Sequence, residues 1–347
     1  MSSLNKSNTI IVSPSGQFYG SEQVLFNHLE HTAKRYLAFV PTKGKFSQKL
    51  KKQNKHKVSG FSNLRVLYLR LLYKLVFQNY NTLYVNEGGH IKFAKIIAMF
   101  LPYVKVIVHI RLLEDTESNR LGKLPKNLKL ISISNYIRDV LLPEYPSVMI
   151  YDPLDASKVS THNNQSQSGD IRVGIIGRVS LTKGLKNYDQ LFKYYFGLNG
   201  VKYIHFIFFG DILQKEEEAS LFFDNYKGKE FPQIEFKGFI EDQEKIFSSI
   251  DAVLHLNEKE PLGRIGLESW ARGIPFVCFN AGGCAEINKT LEMERFSVAF
   301  DTDWEEAVIE LISSLKNFSS SEQENARLNL QSYFSIERYL KQLEKQF

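Results

Sequence analysis

Two short apolar runs, residues 250–254 and Phe276–Phe279, bracket the segment Glu260-Pro261-Leu262-Gly263-Arg264-Ile265-Gly266-Leu267-Glu268-Ser269-Trp270-Ala271-Arg272-Gly273-Ile274-Pro275. Continuous apolar runs on either side of a helix-length stretch read as buried parallel strands joined by a helical crossover. The Glu-Pro pair makes a turn, Arg264–Ala271 are helix formers apart from Gly266, and Gly273 with Pro275 stops the helix. A helix N-terminus is thus predicted near Leu262 and Gly263. Its unpaired amides and positive dipole end suit a phosphate, and Gly263 lets an anion come close to the backbone. Glu268 falls in the second turn and Glu260 in the loop before it, roughly 12 Å apart at most. That exceeds the ~5 to 10 Å of paired glycosidase carboxylates. The spacing fits one acid at each end of a diphosphate, Glu260 on the hydroxyls of a sugar and Glu268 on those of a ribose.

Similar units recur along the chain. Residues 8–13 form a strand, 14–22 a loop with Gly16 and Gly20, and 23–30 a helix. This is a Rossmann-like opening without the Gly-x-Gly-x-x-Gly fingerprint. Strands follow at 35–40, 82–85 and 105–110, with helical stretches between, so residues 1–160 alternate strand and helix. Ligands in such sheets lie at the carboxyl ends of the strands. Two loops there carry polar candidates, Asn86-Glu87-Gly88-Gly89-His90 and His109-Ile110-Arg111. Residues 156–170 are polar and aperiodic, as a linker is. A second alternation begins with Ile171-Arg-Val-Gly-Ile-Ile-Gly177-Arg178-Val-Ser-Leu-Thr-Lys183-Gly184. Its strand ends at Gly177, and the loop brings Arg178 and Lys183 toward one anion. Further strands end at Gly210 and near Gly238.

The Glu-x7-Glu segment, the Gly-Arg-x4-Lys-Gly run and Gly282-Gly283-Cys284-Ala285-Glu286-Ile287 together resemble the motifs of family-4 retaining glycosyltransferases of the GT-B fold. The resemblance covers residues 170–325 closely and the first half only in its layout. It implies an α/β fold of two Rossmann-like domains facing across a cleft, residues 1–160 for the acceptor and 170–325 for the nucleotide sugar. A terminal helix within 326–347 would cross back to the first domain; Ser335 is its N-cap and Glu337 sits in its first turn. By the same resemblance Glu260, His109, Arg178 and Lys183 serve catalysis. Glu268, Leu262, Gly263, Arg264, Gly177, Gly210, Gly16 and Gly20 contact the donor, and Glu87 and Arg111 lie on the acceptor side. The family's reaction needs no cofactor and no metal; Asp301-Thr302-Asp303 reads as a helix start. Retention is assigned in such families to same-face attack, so Glu260 would orient the sugar rather than attack it. Two departures stand out. Asp152-Pro153-Leu154-Asp155 replaces a usual Asn-Gly-Val-Asp, and Leu256-Asn257 stands where Pro-Ser is common. A sugar-nucleotide epimerase and a non-catalytic sugar-nucleotide-binding subunit stay open as alternatives.

Charge bears on partners. Of the net +6, residues 1–165 hold 23 Lys and Arg against 10 Asp and Glu, a net of +13 that leaves −7 for the rest. Seven lysines fall within residues 43–57, and the apolar helix expected over Leu64–Phe77 carries Arg65, Arg70 and Lys74. These features suit anionic lipid, and equally a buried helix beside a solvated lysine loop. No nucleic-acid-binding motif accompanies the charge. The longest apolar run, 96–104, is too short to span a membrane and is fenced by Lys95 and Lys105. The N-terminus leads straight into a strand, and only two cysteines are present, Cys278 and Cys284. The expectation is a cytoplasmic protein with free thiols, peripheral on the inner face of the membrane, acting on a saccharide or lipid-linked saccharide.

Overall fold

The computed structural model describes residues 5–141, 143–161, 169–200, 202–315 and 318–347. The chain divides into two compact units, Met1–Asp155 with Phe334–Phe347, and Ala156–Tyr333. Seven residues of the expected linker, 162–168, lie outside the described residues.

The first unit runs β1 (Asn5–Val12), α1 (Gly20–His31), β2 (Lys34–Pro41), α2 (Lys45–Gln53), β3 (Lys57–Phe61), α3 (Leu64–Phe77), β4 (Thr82–Val85), α4 (Ile91–Phe100), β5 (Lys105–Ile110), α5 (Ser118–Leu121), β6 (Leu128–Ser132), α6 (Asn135–Leu141) and β7 (Ser147–Met149). All strand pairs are parallel, in the order β3-β2-β1-β4-β5-β6-β7. The chain leaves β1 toward one edge and leaves β4 toward the other. Right-handed crossovers then put α1 and α2 on one face and α3 and α4 on the opposite one.

The buried side chains agree. Leu25 and Leu29 of α1 and Phe46 and Leu50 of α2 share a core with Ile11, Tyr84 and Ile107. Alternate strand residues, such as Leu83 and Val106, face the other way, where Leu67, Leu71 and Leu75 of α3 are buried.

The second unit runs β8 (Ile171–Ile176), α7 (Leu185–Gly197), β9 (Ile204–Phe209), α8 (Glu217–Tyr226), β10 (Ile234–Gly238), α9 (Gln243–Phe247), β11 (Ala252–His255), α10 (Arg264–Ala271), β12 (Phe276–Phe279), α11 (Gly282–Thr290), β13 (Ser297–Val298), α12 (Trp304–Ser314) and α13 (Ser320–Phe334). Its parallel sheet has the order β10-β9-β8-β11-β12-β13. Both sheets reverse strand order once, between β1 and β4 and between β8 and β11. Loops diverge at such a switch point and leave room for a ligand.

The last helix, α14 (Ile336–Glu344), belongs to the first unit: Tyr339 and Leu343 join the α1–α2 core. Ser335 caps it by accepting a hydrogen bond from the Arg338 amide at 3.3 Å. The terminal segment expected from residue 326 therefore divides. Through Tyr333 the chain stays with the second unit, where Asn329 Nδ2 donates to the Leu291 carbonyl at 3.2 Å.

Candidate active site

The switch point of the second sheet gathers the residues singled out there by sequence. The loop after β8 carries Gly177, Arg178 and Lys183, and the loop after β11 carries Glu260, Leu262 and Gly263. Lys183 Nζ donates to both oxygens of Glu260, at 2.9 and 2.8 Å, and so ties the two loops together. His255 Nε2 lies 3.3 Å from Glu260 Oε2, and Asn257 Nδ2 donates to the same oxygen at 2.9 Å. A pocket at the end of β8 is lined by Gly177, Arg178, Ser180, Lys183, Tyr188 and His255. Arg178 is exposed and, among the described residues, has no ion pair or hydrogen bond from its guanidinium.

Glycines set how closely these loops approach. Gly184, at φ +81°, lies where a Cβ would sit 1.9 Å from the Leu256 carbonyl oxygen, so it presses the lysine loop onto the end of β11. Gly263, at φ +80°, caps α10, and a Cβ there would meet Cys284 Sγ at 2.4 Å. The Gly283 amide donates to the Glu260 carbonyl at 2.8 Å, joining the start of α11 to the same loop. Leu262 is buried in this packing. Gly210, at the end of β9, packs against the Gly177 carbonyl.

The two acids differ electrostatically. Burial pushes the Glu260 carboxyl up, but the hydrogen bond and charge of His255 and the Lys183 ammonium outweigh it and hold the group below the usual carboxylate range. For Glu268, in α10, burial wins and its carboxyl is raised, although Arg264, Arg272 and the Gln243 hydrogen bond oppose it. Gln243 Nε2 donates to Glu268 Oε2 at 3.0 Å, and Arg264 Nη2 stands 3.7 Å from Oε1. Burial lifts both free thiols; Cys278 is pushed up to about 12. They act as small apolar residues here.

The candidates of the first unit sit differently. Gly16 packs against the Lys43 carbonyl and Gly20 begins α1. Glu87 Oε1 accepts from Ser21 Oγ at 2.5 Å. His109 is fully buried: its Nδ1 meets the Tyr84 hydroxyl at 2.8 Å and Arg111 Nη2 at 3.3 Å, and burial, then Arg111, lowers its pKa well below the usual imidazole value. Arg111 is buried too. Its Nη1 pairs with the Asp152 carboxylate and its Nε donates to the Asn86 carbonyl at 2.9 Å. In this structure neither side chain reaches the surface. The pair fastens the end of β5 to the turn that begins at Asp152, which itself meets the returning chain where the Leu154 amide donates to the Phe334 carbonyl at 2.9 Å.

Sequence reasoning missed His255 and Asn257 as partners of Glu260. The one available signal was the replacement at Leu256-Asn257, which marks this strand end as unusual.

Residues 159–329, nearly the whole of the second unit, match the family described as glycosyl transferases group 1. The second unit belongs to that family, and the chain has the GT-B fold. Among solved structures it is similar to Anabaena Alr3699/HepE in complex with UDP and glucose, with a TM-score of 0.75 and 18% identity over 97% of this chain and 98% of that one. A glycosyltransferase from Rickettsia africae ESF-5 is similar at a TM-score of 0.74 and 16% identity, over 97% of each chain. The lipopolysaccharide outer core galactosyltransferase WaaB in its apo form gives 0.67 and 13%, over 97% and 98%. At these identities the likeness is one of fold. No curated protein matches the chain in sequence.

Proposed function

We propose that the chain is a retaining, metal-independent glycosyltransferase. It moves a sugar from a nucleoside diphosphate sugar to a saccharide or lipid-linked saccharide, in building a bacterial surface glycan at an anionic membrane. The observation that carries the reading is the Lys183–Glu260 pair, which sets an ionised carboxylate and a cation in the loops that lead to α10, with Arg178 exposed in the same loop as Lys183.

In this reading the diphosphate lies against Arg178, Lys183 and the first amides of α10. As the bond from the anomeric carbon to the phosphate oxygen breaks, negative charge grows on that oxygen. Fixed cations and amide dipoles stabilise it there without reorganising. The acceptor hydroxyl attacks from the same face, and its proton passes to the departing phosphate oxygen. Glu260, held ionised, accepts from sugar hydroxyls while Lys183 links it to the diphosphate. Glu268 accepts from the ribose, and the first unit holds the acceptor through its basic surface.

The test is a thermal-shift panel of UDP-, GDP-, ADP- and TDP-sugars on the full chain, with UDP-sugars first because Alr3699/HepE was solved with UDP. Proton NMR of the anomeric signal then follows turnover in EDTA. A product that keeps the donor's configuration supports the proposal. An inverted product or complete loss with chelator contradicts it, epimerised donor without acceptor favours an epimerase, and binding without turnover a binding subunit.

A further inference from the structure

Helices α3 and α4 carry an apolar face that no part of the first unit covers. They lie side by side: the Tyr68 and Phe93 rings stack at 3.6 Å, and the Tyr103 hydroxyl donates to the Leu75 carbonyl at 3.4 Å. Leu67, Leu71 and Leu75 turn α3 inward to the sheet. Yet the opposite side of the same helix is also apolar, and Leu69 and Phe77 are 69% and 72% exposed. On α4 and just after it, Ile96, Met99, Phe100 and Tyr103 follow helical spacing, with Met99 and Phe100 65% and 75% exposed. Among the described residues, half of the exposed large apolar side chains fall between Leu64 and Tyr103. Water is an unfavourable neighbour for so continuous a patch.

Charge decides between occupants. Arg65 and Arg70 of α3 and Lys92 of α4 are exposed on the same two helices, and neither helix carries an acid. Residues 31–113 hold sixteen Lys and Arg and a single acid, Glu87. A symmetric contact with a second copy would set these cations against their own images. An anionic bilayer offers the complement to both features, apolar depth for the aromatic and aliphatic side chains and phosphate for the cations around them.

We infer that the α3–α4 face of the first unit is a membrane-docking surface that inserts Leu69, Phe77, Met99, Phe100 and their neighbours into an anionic bilayer. The inference rests on the membrane part of the proposed function and on none of its donor chemistry. It also places the contact away from the lysines of α2, which lie on the other face of the sheet. Phe77 and Phe100 end their helices, and these helices run opposite to the strands. Docking there leaves the carboxyl ends of the strands, where Gly16 and Glu87 lie, unobstructed.

The experiment sediments the full chain with vesicles of phosphatidylcholine alone or mixed with phosphatidylglycerol, over a range of salt. Binding is expected only with the anionic lipid. Phe77→Ser with Phe100→Ser should lower partitioning at least about tenfold at every salt concentration. Arg65→Gln with Lys92→Gln should lower it mainly at low salt. Lys49→Gln, Lys51→Gln and Lys52→Gln together should change it little, and a second apolar pair, Leu69→Ser with Met99→Ser, replaces the first if that variant melts early. No vesicle binding, or loss through the α2 lysines alone, overturns the inference. So does a dimer, seen by light scattering, that the apolar variants dissociate, or an acidic protein partner that competes for the face while vesicles do not. Donor turnover on a soluble acceptor should be the same in the apolar variants, which separates this test from that of the transfer reaction.

Discussion

Glu260 and Glu268 stand at opposite ends of one short segment with opposite titration behaviour, and the signs give a test at the scale of single residues. A carboxyl held low in the fold adds stability above its unfolded pKa, near ~4.3, and loses it as pH falls through the folded value. Glu260 is such a group. The stability gap between wild type and Glu260→Gln should be full at pH 7 and shrink in thermal melts taken below about pH 4. Glu268 is raised, so its ionised form costs stability at neutral pH and protonation relieves the cost as pH falls. Glu268→Gln should therefore melt no lower than wild type at pH 7, yet bind donor more weakly by about 1.5–3 kcal/mol, about 10- to 150-fold in calorimetric titration. An early melt with unchanged affinity would show that Glu268 is structural. Gly263→Ala combines a left-handed backbone with a contact on Cys284 Sγ. It should cost about 1–3 kcal/mol of stability in denaturant titration.

At the scale of elements, much was legible because the signals are local. The spans Leu64–Phe77, Thr82–Val85, Lys105–Ile110 and Arg264–Ala271 follow from apolar runs with clear stops, and the Ser335 cap from its residue type. What escaped depends on how the chain folds back on itself. Arg111 and Asp152 are 41 residues apart, so nothing near either one tells that they bury each other. That α13 stays with the second unit follows from Asn329 reaching Leu291, and Glu260 gains His255 and Asn257 only through the way its loop folds back. Removing one partner of the buried pair leaves a charge without its counterion, so Asp152→Ala should destabilise by about 3–5 kcal/mol in denaturant titration. Leu343→Ala should cost about 2–5 kcal/mol by opening a cavity where α14 meets the core, and Ser335→Ala about 1 kcal/mol. If Leu343→Ala melts like wild type, α14 is not part of the first unit's core.

For the whole molecule, two sheets of the same winding carry different loops and different charge. The first unit carries the basic charge and the exposed α3–α4 face. The second carries the Lys183–Glu260 pair and the family match. Among the described residues no helix is long and apolar enough to cross a membrane. In the proposed reaction, sugar transfer depends on Arg178 and Lys183 at the switch point of the second sheet. That dependence is tested most directly by the transfer rate from the donor that the thermal-shift panel selects, measured for wild type, Arg178→Ala and Lys183→Ala. Each variant should lose about 2–4 kcal/mol of transition-state stabilisation, about 30- to 1000-fold in rate, while Arg178→Ala melts near wild type and Lys183→Ala melts lower because Glu260 loses its partner. Transfer at the wild-type rate by both variants would contradict it.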